Sequence, residues 1–322
     1  MLKSDFEQIN RLTAAGTPFL CLIDFNKSDP LVFPLEEIDP GLLQYDINGI
    51  SNTENQATNT VLRYWDKQPV APGRYLEAFN KVQHHLHYGD TFLLNLTFPT
   101  GVRTNLSLKQ IFDISQAKYK IWLKDQFITF SPEPFVTIEN GMIASYPMKG
   151  TIRTSAPNAE NVILGDQKES EEHMTIVDLI RNDLAMIAQD IRVEAYRYLE
   201  TVKTSQSDLL QVSSKIIGKI LPEYWPDLGS LLQKMLPAGS ISGAPKKKTI
   251  EIIRQVEGYE RGYFTGIVGL FDGQRFDSGV MIRFMEQTDE GLVYKSGGGI
   301  TANSNWEAEY QEMIDKVYVP VV

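Results

Sequence analysis

The chain has 322 residues, 42% hydrophobic and 22% charged, with a formal net charge of −10 at pH 7. That length suffices for a large buried core, and the acidic balance argues against nucleic-acid binding, which favours clustered Lys and Arg. No apolar run reaches the ~18 residues of a membrane-spanning helix, and the N-terminus lacks the apolar stretch of a signal peptide. A single cysteine, Cys21, excludes an internal disulfide, so we expect a cytoplasmic protein.

The first part of the chain predicts strands, a loop and then a helix. Residues 16–50 include the apolar segment TPFLCLIDF and the turn signal NGI, which predict strands and turns. Residues 51–70 are polar and predict a loop. From residue 73 to residue 88 apolar side chains recur at helical spacing, and Gly89 is a typical helix stop. We therefore expect one domain, 1–322, with a short N-terminal segment, 1–70, and a core, 73–320.

Strands and helices alternate irregularly in this core. Residues 91–98 and 119–148 predict strands, with Asn140-Gly141 as a hairpin turn. A helical pattern covers 168–189, and a second helix is predicted to begin at Ala244-Pro245. Residues 263–300 predict an antiparallel meander with turns at Asp272-Gly273 and Glu290-Gly291. The pattern indicates an α+β fold and not a doubly wound parallel sheet.

The last helix is predicted to begin at Ser304 and to end before Pro320. Ser304 and Glu307 have the spacing of a capping box, in which each side chain binds the other residue's backbone N–H. The helix therefore carries the acidic segment EAEYQE, residues 307–312, in its first two turns.

Two helices carry paired carboxylates. Glu169 and Glu172 are three residues apart on one predicted helix, and Glu309 and Glu312 repeat that spacing on the last. If the pairs converge, they make an all-oxygen site for a hard cation such as Mg²⁺. The alternative is that both pairs lie on solvated helix faces, where such pairs are common.

Three further features favour anion binding or an ordinary structural role. Lys316 follows Glu312 by four residues. It is either a cation that binds substrate or the partner of Glu312 in a helical ion pair. Arg283 lies near the end of the segment GVMIRF. It is either a carboxylate clamp or a surface arginine. Gly297, Gly298 and Gly299 form either a flexible turn or a close approach of backbone N–H groups to an anion.

PAGSISGAPK (237–246) lacks the spacing of a phosphate-binding loop, so its small residues are expected to let a helix approach another element closely.

The order of several motifs is more specific than any one of them. Eight motifs follow one another between residues 131 and 312: SPEPF, PMKGT, ESEEHMTIVDLIRNDL, PAGSISGAPK, GIVG, IRF, SGGGI and EAEYQE. In this order they resemble the chorismate-utilising enzymes, and the resemblance covers about residues 73–320. It implies a catalytic core of two largely antiparallel sheets packed as a sandwich, with helices outside.

Within that family, Lys149 is the discriminating residue. The resemblance implies that lysine in PMKGT is typical of aminodeoxychorismate synthase component I, in 4-aminobenzoate and folate synthesis, whereas anthranilate synthase component I carries alanine. Isochorismate and salicylate synthases carry a water-activating lysine where this chain has Leu93. Anthranilate synthase component I and a non-catalytic chorismate-binding subunit remain the alternatives.

The resemblance also implies a mechanism. Glu172 and Glu312 match direct ligands of Mg²⁺, and Glu169 and Glu309 are expected to act through water. Lys149 would add to C2 of chorismate as the C4 hydroxyl leaves, and ammonia would then attack C4 and expel the lysine, which splits one displacement into two. The attacking amine must be neutral, and we expect burial to lower its pKa against the opposing effect of nearby carboxylates. Glu133 matches the residue that protonates the leaving hydroxyl, for which it needs a raised pKa.

Substrate contacts complete the site that the resemblance implies. The residues it assigns to the substrate are Gly150, Thr151, Ser240, Phe264, Arg283, Gly297, Gly298, Gly299 and Lys316. Two positions depart from the family's pattern. Phe264 replaces a tyrosine, and the segment LLQVSS (209–214) lacks a histidine.

Ammonia requires a source outside this chain. Cys21 lies in the apolar segment FLCLIDF, which predicts a core residue and not a glutaminase nucleophile. We therefore expect a separate glutamine amidotransferase subunit. His173, next to Glu172, is expected to support the site or the fold.

Overall fold

A computed structural model describes residues 5–53, 60–202 and 208–321. Part of the predicted loop, residues 54–59, lies outside this range. The helices of the described ranges are α1 Phe6–Ala14, α2 Pro72–Tyr88, α3 Leu108–Ile114, α4 Ala159–Gly165, α5 Gln167–Ala185, α6 Leu228–Met235, α7 Gly239–Ser242, α8 Lys246–Glu257 and α9 Trp306–Asp315, with 3-10 turns at Leu35–Glu37 and Pro222–Tyr224. None of them is long and apolar enough to cross a membrane, as far as the described residues go.

The strands form two antiparallel sheets, which confirms the α+β fold class. In chain order they are β1 Phe19–Ile23, β2 Leu31–Pro34, β3 Leu43–Ile47, β4 Ile50–Ser51, β5 Trp65–Gln68, β6 Leu93–Thr104, β7 Tyr119–Leu123, β8 Phe127–Ser131, β9 Pro134–Glu139, β10 Met142–Ser145, β11 Met148–Arg153, β12 Ala188–Val202, β13 Leu209–Ile220, β14 Gly243–Ala244, β15 Ile267–Phe271, β16 Phe276–Val280, β17 Phe284–Thr288 and β18 Gly291–Ile300.

Each sheet combines strands that are distant in sequence. The first has the order β11-β13-β10-β9-β16-β15-β1-β2, with β12 on β13. The second has the order β14-β6-β18-β17-β8-β7-β3-β4, with β5 on β6. The largest core cluster includes Ile23 of the first sheet and Leu94 and Leu96 of the second. The two sheets therefore share one hydrophobic core, whose burial is the main stabilising contribution.

The predicted meander over 263–300 is divided between the sheets. Strands β15 and β16 pair in the first sheet, and β17 and β18 pair in the second. The chain crosses between them at residues 281–283, where Arg283 has a φ of 52°. Non-glycine residues rarely adopt such a positive φ, and here it accompanies the change of sheet. The crossover carries Arg283 to the cleft described below.

Several turn predictions are confirmed. Asn140 and Gly141 have φ values of 52° and 72°, both positive as a type I′ hairpin requires. Gly89 ends α2 with a φ of 88°. The small residues of the 237–246 segment do allow a close approach, because a Cβ at Gly243 would lie 1.9 Å from the carbonyl oxygen of Leu93.

Three local predictions were incomplete or wrong, and several elements were not predicted. The helix predicted over 168–189 ends at Ala185, and β12 begins at Ala188. The segment predicted as a loop contains β5, which pairs with β6. The elements that were not predicted include α1, α3, α4, α6, β12 and β13. The last helix is capped by Asn305, whose side chain accepts from the N–H of Ala308. Ser304 is not the cap, because its hydroxyl donates to Glu309 instead.

Candidate active site

One cleft brings together most of the residues that the sequence singled out. Its volume is about 560 Å³. Both sheets contribute, together with α5, α7 and α9. The predicted residues that line it are Glu133, Lys149, Glu172, Ser240, Arg283, Gly298, Gly299, Glu312 and Lys316. A cleft with a few charged groups on an otherwise mixed lining is the usual form of a small-molecule site.

Lys149 lies on β11, opposite α5. Its Nζ is 2.7 Å from Oε2 of Glu172. Burial acts against the ammonium charge, but the hydrogen bond that Lys149 donates to Glu172 and the charges of Glu172, Glu169 and Glu312 outweigh burial, so the pKa of Lys149 is raised. The sequence left the balance between burial and nearby carboxylates open, and in this arrangement the carboxylates around the amine outweigh burial.

Glu133 follows β8 and faces Ser240 of α7. The hydroxyl of Ser240 donates to Oε1 of Glu133 over 2.8 Å. Burial raises the pKa of Glu133, while Ser240 and the positive charges of Arg283, Lys316 and Lys149 act in the opposite direction. The net direction is upward, which a proton donor near neutral pH requires.

Arg283 has a fixed backbone and brings a positive charge to the cleft. Its carbonyl accepts from the N–H of Phe130 over 3.2 Å, and its guanidinium lies 5.3 Å from the ring centroid of Tyr318. Its buried Nε has no hydrogen-bond partner among the described residues. Because the residue also lines the cleft, its guanidinium places a positive charge beside an anionic group bound there.

Lys316 and the glycine segment meet at the α9 side of the cleft. The Nζ of Lys316 donates to the carbonyl of Gly297 over 2.8 Å and lies 2.6 Å from Oε1 of Glu312. A Cβ added to Gly298 would stand 3.4 Å from Oε2 of Glu309 and 3.6 Å from Oε1 of Glu312. The absent side chain therefore leaves open space between the α9 carboxylates and the backbone of β18.

The donor chemistry around this space fits Mg²⁺. The glutamates of α5 and α9 supply only oxygen donors, which a hard cation prefers. As the side chains stand, however, no group of three or more His, Cys, Asp or Glu could hold a metal ion within residues 5–53, 60–202 and 208–321. Lys149 and Lys316 occupy oxygens of Glu172 and Glu312 instead. A bound cation would therefore share these two carboxylates with Lys149 and Lys316.

Other predicted residues lie beside the cleft or away from it. Gly150 contacts Glu169, whose Oε2 would be 3.2 Å from an added Cβ, and Thr151 continues β11 as an exposed residue. Neither lines the cleft, and the same holds for Glu169, Gly297 and Glu309.

Phe264 corrects the prediction of a substrate contact. Its ring is 2% exposed and packs against Phe284 in a core cluster. The backbone around it explains this position, since Thr265 is hydrogen-bonded to Met281 beside β15. Phe264 therefore lies in the core and not in the cleft.

Asp183 is a cleft residue that sequence reasoning missed. It lies 2.8 Å from the ammonium of Lys246 and lines the cleft. Burial raises its pKa, while Lys246 and the N–H of Gly239 lower it. The available signal was a charged residue beside the apolar stripe of α5, next to Leu184.

His173 and Cys21 have structural positions. His173 is 1% exposed, and its Nε2 lies 2.7 Å from the hydroxyl of Ser214. Burial, with the charges of Arg197 and Lys149, lowers its pKa to about 4. Cys21 is fully buried in β1, and burial raises the pKa of its thiol to about 12. The prediction that Cys21 is a core residue is confirmed, since reactive thiols have lowered pKa values.

Comparison with known proteins gives the same family throughout. Residues 35–321 match the family described as chorismate binding enzyme. A Haemophilus influenzae protein described as an uncharacterized PabA-like protein is 48% identical over 315 residues, which cover 98% of this chain and 96% of that protein. Aminodeoxychorismate synthase component 1 of Salmonella typhimurium is 32% identical over 259 residues, which cover 76% of this chain but 56% of the relative.

A solved structure supports the same fold. Anthranilate synthase component I from Streptococcus pneumoniae superposes with a TM-score of 0.67 at 25% identity. The matched part covers 80% of this chain and 60% of that enzyme. Relatives with two different reactions are therefore similar to this chain, and the residues of the cleft must distinguish between them.

Proposed function

Because the chain belongs to the family of chorismate-binding enzymes, we propose that it acts on chorismate as an aminodeoxychorismate synthase component I. The reaction converts chorismate and ammonia to 4-amino-4-deoxychorismate, a precursor of 4-aminobenzoate and folate. The observation that carries this proposal is the position of Lys149, whose amine lies in the cleft that also contains Glu133. A lysine and a carboxylic acid in one cleft provide the nucleophile and the proton donor that the reaction needs.

The two residues divide the displacement at C4 into two steps. Neutral Lys149 forms a bond from Nζ to C2, the two ring double bonds shift, and the C4–O bond breaks as Glu133 transfers its proton to the leaving hydroxyl, which departs as water. Ammonia then forms a bond to C4, the double bonds shift back, and the C2–N bond to Lys149 breaks. Lys149 must lose a proton before it attacks, and its pairing with Glu172 opposes that loss.

Charged and backbone groups orient the substrate. We propose that Arg283, whose guanidinium lines the cleft, holds the enolpyruvyl carboxylate. Lys316 and the Gly298–Gly299 backbone would hold the ring-carboxylate end. Glu172 and Glu312 would bind Mg²⁺, with Glu169 and Glu309 acting through water. When bound, Mg²⁺ supplies Lewis acidity at the ring carboxylate, which favours addition at C2.

Ammonia would come from a separate glutamine amidotransferase subunit, or from free ammonium in its absence. The one cysteine of the chain is fully buried in β1, and its raised pKa disfavours the thiolate that a glutaminase needs. We place the assembly in the cytoplasm, where such a thiol stays reduced.

Product analysis tests the proposal directly. The purified chain is incubated with chorismate, Mg²⁺ and ammonium, and the products are separated and identified by mass and ultraviolet spectrum. 4-Amino-4-deoxychorismate supports the proposal, and anthranilate or isochorismate as the sole product contradicts it. Chorismate binding without turnover identifies a non-catalytic subunit.

Anthranilate synthesis is the second candidate. Two observations favour it: the similarity to the Streptococcus pneumoniae enzyme and the 2.7 Å ion pair of Lys149 with Glu172, which opposes loss of a proton from the amine. Ammonia would then add to C2 directly, and Lys149 would act only as a charge. Isochorismate synthesis is disfavoured, because Leu93 lines the cleft where a base would have to activate water.

A further inference from the structure

The short helix α7 connects Glu133 to a rigid part of the fold. At one side, the hydroxyl of Ser240 donates to Oε1 of Glu133 over 2.8 Å. At the other, the backbone N–H of Gly239 donates to Asp183, which pairs with Lys246 at 2.8 Å. Ser240 is therefore one residue away from a buried ion pair that ties α7 to α5 and α8.

The backbone of this turn is closely confined. A Cβ at Gly239 would lie 2.7 Å from Oδ2 of Asp183 and 3.0 Å from Cγ of Leu179, closer than real Cβ atoms approach other heavy atoms. With the backbone confined at Gly239, the hydroxyl of Ser240 presents a fixed donor to Glu133.

The main chain of Glu133 is fixed as well. Its N–H donates to the hydroxyl of Ser131 over 3.1 Å, and its carbonyl accepts from the N–H of Val280 over 3.0 Å. The side chain still has rotatable bonds, so fixing its carboxyl group requires a separate contact. Arg283, Lys316 and Lys149 act on this carboxyl group through their charge, whereas the hydroxyl of Ser240 contacts one of its two oxygens directly.

We propose that Ser240 is a positioning residue for Glu133. The hydroxyl of Ser240 donates to Oε1 of Glu133 and thereby leaves Oε2 as the oxygen that carries the transferred proton. The proposal rests on the proposed role of Glu133 as the proton donor. A protonated carboxyl group has one O–H donor and retains acceptor capacity on its other oxygen. With Oε1 engaged as an acceptor, the proton is placed on Oε2. Ser240, which the sequence assigned to substrate binding, thus acts on the acid.

Loss of this donor has an effect that general damage to the fold does not produce. A hydrogen bond to the ionised form lowers a carboxyl pKa, so its removal raises the pKa of Glu133 further. The acid then stays protonated to higher pH, but its carboxyl group is no longer held in one orientation. Ser240→Ala is therefore expected to lower kcat roughly tenfold with little change in KM, while the alkaline limb of the pH–rate profile moves to higher pH.

Ser242→Ala is the matched control, because it removes a hydroxyl from the same turn without touching Glu133. Both variants are first compared with the wild type for stability in urea. Each is then labelled with ¹³C at glutamate carboxyl groups, and the signal of Glu133, assigned by its absence in Glu133→Gln, is titrated by NMR. A higher pKa of Glu133 in Ser240→Ala and an unchanged one in Ser242→Ala support the proposal.

The proposal is overturned if Glu133 titrates alike in the wild type and in Ser240→Ala. It is equally overturned if Ser240→Ala lowers kcat as much in a Glu133→Gln background as in the wild type, since the serine then acts independently of the acid. Failure of the proposed function is a separate result. If the wild type forms no 4-amino-4-deoxychorismate, the NMR titration still reports whether Ser240 fixes Glu133.

Discussion

Lys149 and Glu172 form an ion pair across the cleft, with Nζ and Oε2 2.7 Å apart. The pair joins β11 to α5 and raises the pKa of the lysine against the effect of its burial. The same carboxylate is a candidate metal ligand, so a cation bound to Glu172 would compete with Lys149 for its negative charge. The state of this carboxylate therefore influences whether the amine is protonated.

Replacing Lys149 with alanine is expected to lower kcat by at least ~100-fold, because the nucleophile is lost. Chorismate affinity, measured by titration calorimetry, should change little, since other cations hold the carboxylates. Lys215→Ala is the matched control, as Lys215 forms a similar pair with Glu194 at 2.6 Å but does not line the cleft. Full activity of Lys149→Ala would contradict the covalent route.

Glu133→Gln is expected to make the protein more stable at neutral pH while reducing its activity. The folded-state pKa of Glu133 is raised, mainly by burial, so between the unfolded and folded pKa values the folded state binds more protons and stability falls as pH rises. Glutamine carries no charge, so the variant does not lose this stability as the pH rises. Urea unfolding at several pH values should show a gain that disappears below the unfolded glutamate pKa of ~4.3. A gain of equal size at every pH would rule out this explanation.

Adjacent glycines of β18 are expected to respond differently to alanine. A Cβ at Gly297 would lie 2.1 Å from the carbonyl oxygen of Leu96, so Gly297→Ala should destabilise the protein by about 1–3 kcal/mol. At Gly298 the nearest atom would be 3.4 Å away, so Gly298→Ala should fold normally. Its methyl group would enter the space beside Glu309 and Glu312 and lower activity.

Denaturant unfolding and chorismate turnover distinguish these two variants. Gly298→Ala should keep the midpoint of the wild type but need more Mg²⁺ or more chorismate for half-maximal activity. Normal activity of folded Gly298→Ala would show that this space is not used by the substrate or the metal.

The pair of Arg261 and Glu257 predicts a large stability effect away from the cleft. The guanidinium is 2% exposed and lies 2.6 Å from Glu257, which also accepts from Thr97. Arg261→Met should destabilise the protein by about 3–5 kcal/mol, because it leaves a buried carboxylate without its charge partner. Lys81→Ala, which breaks an exposed pair with Glu77 at the same spacing, should change the urea midpoint little. Similar midpoints for both variants would contradict this account.

Local patterns were reliable where neighbouring residues decide the structure. The Asn140-Gly141 hairpin and the end of α2 at Gly89 follow from backbone conformations that these residues adopt easily. The helix cap was misjudged because Ser304 and Asn305 are both good caps. The hydroxyl of Ser304 donates to Glu309, and the side chain of Asn305 caps the helix instead. Strand β5 was missed because its evidence is a distant pairing with β6.

The sequence by itself determined the family, the fold class and the identity of most cleft residues, because the motifs carry side chains of distinctive chemistry in a specific order. Only the tertiary structure decided which of them meet. It placed Phe264 in the core and Ser240 against Glu133, and it surrounded Lys149 with enough carboxylates to reverse the effect of burial on its pKa. Electrostatic effects depend on distances between residues far apart in the chain, and those distances are set by the packing of the two sheets and not by local sequence.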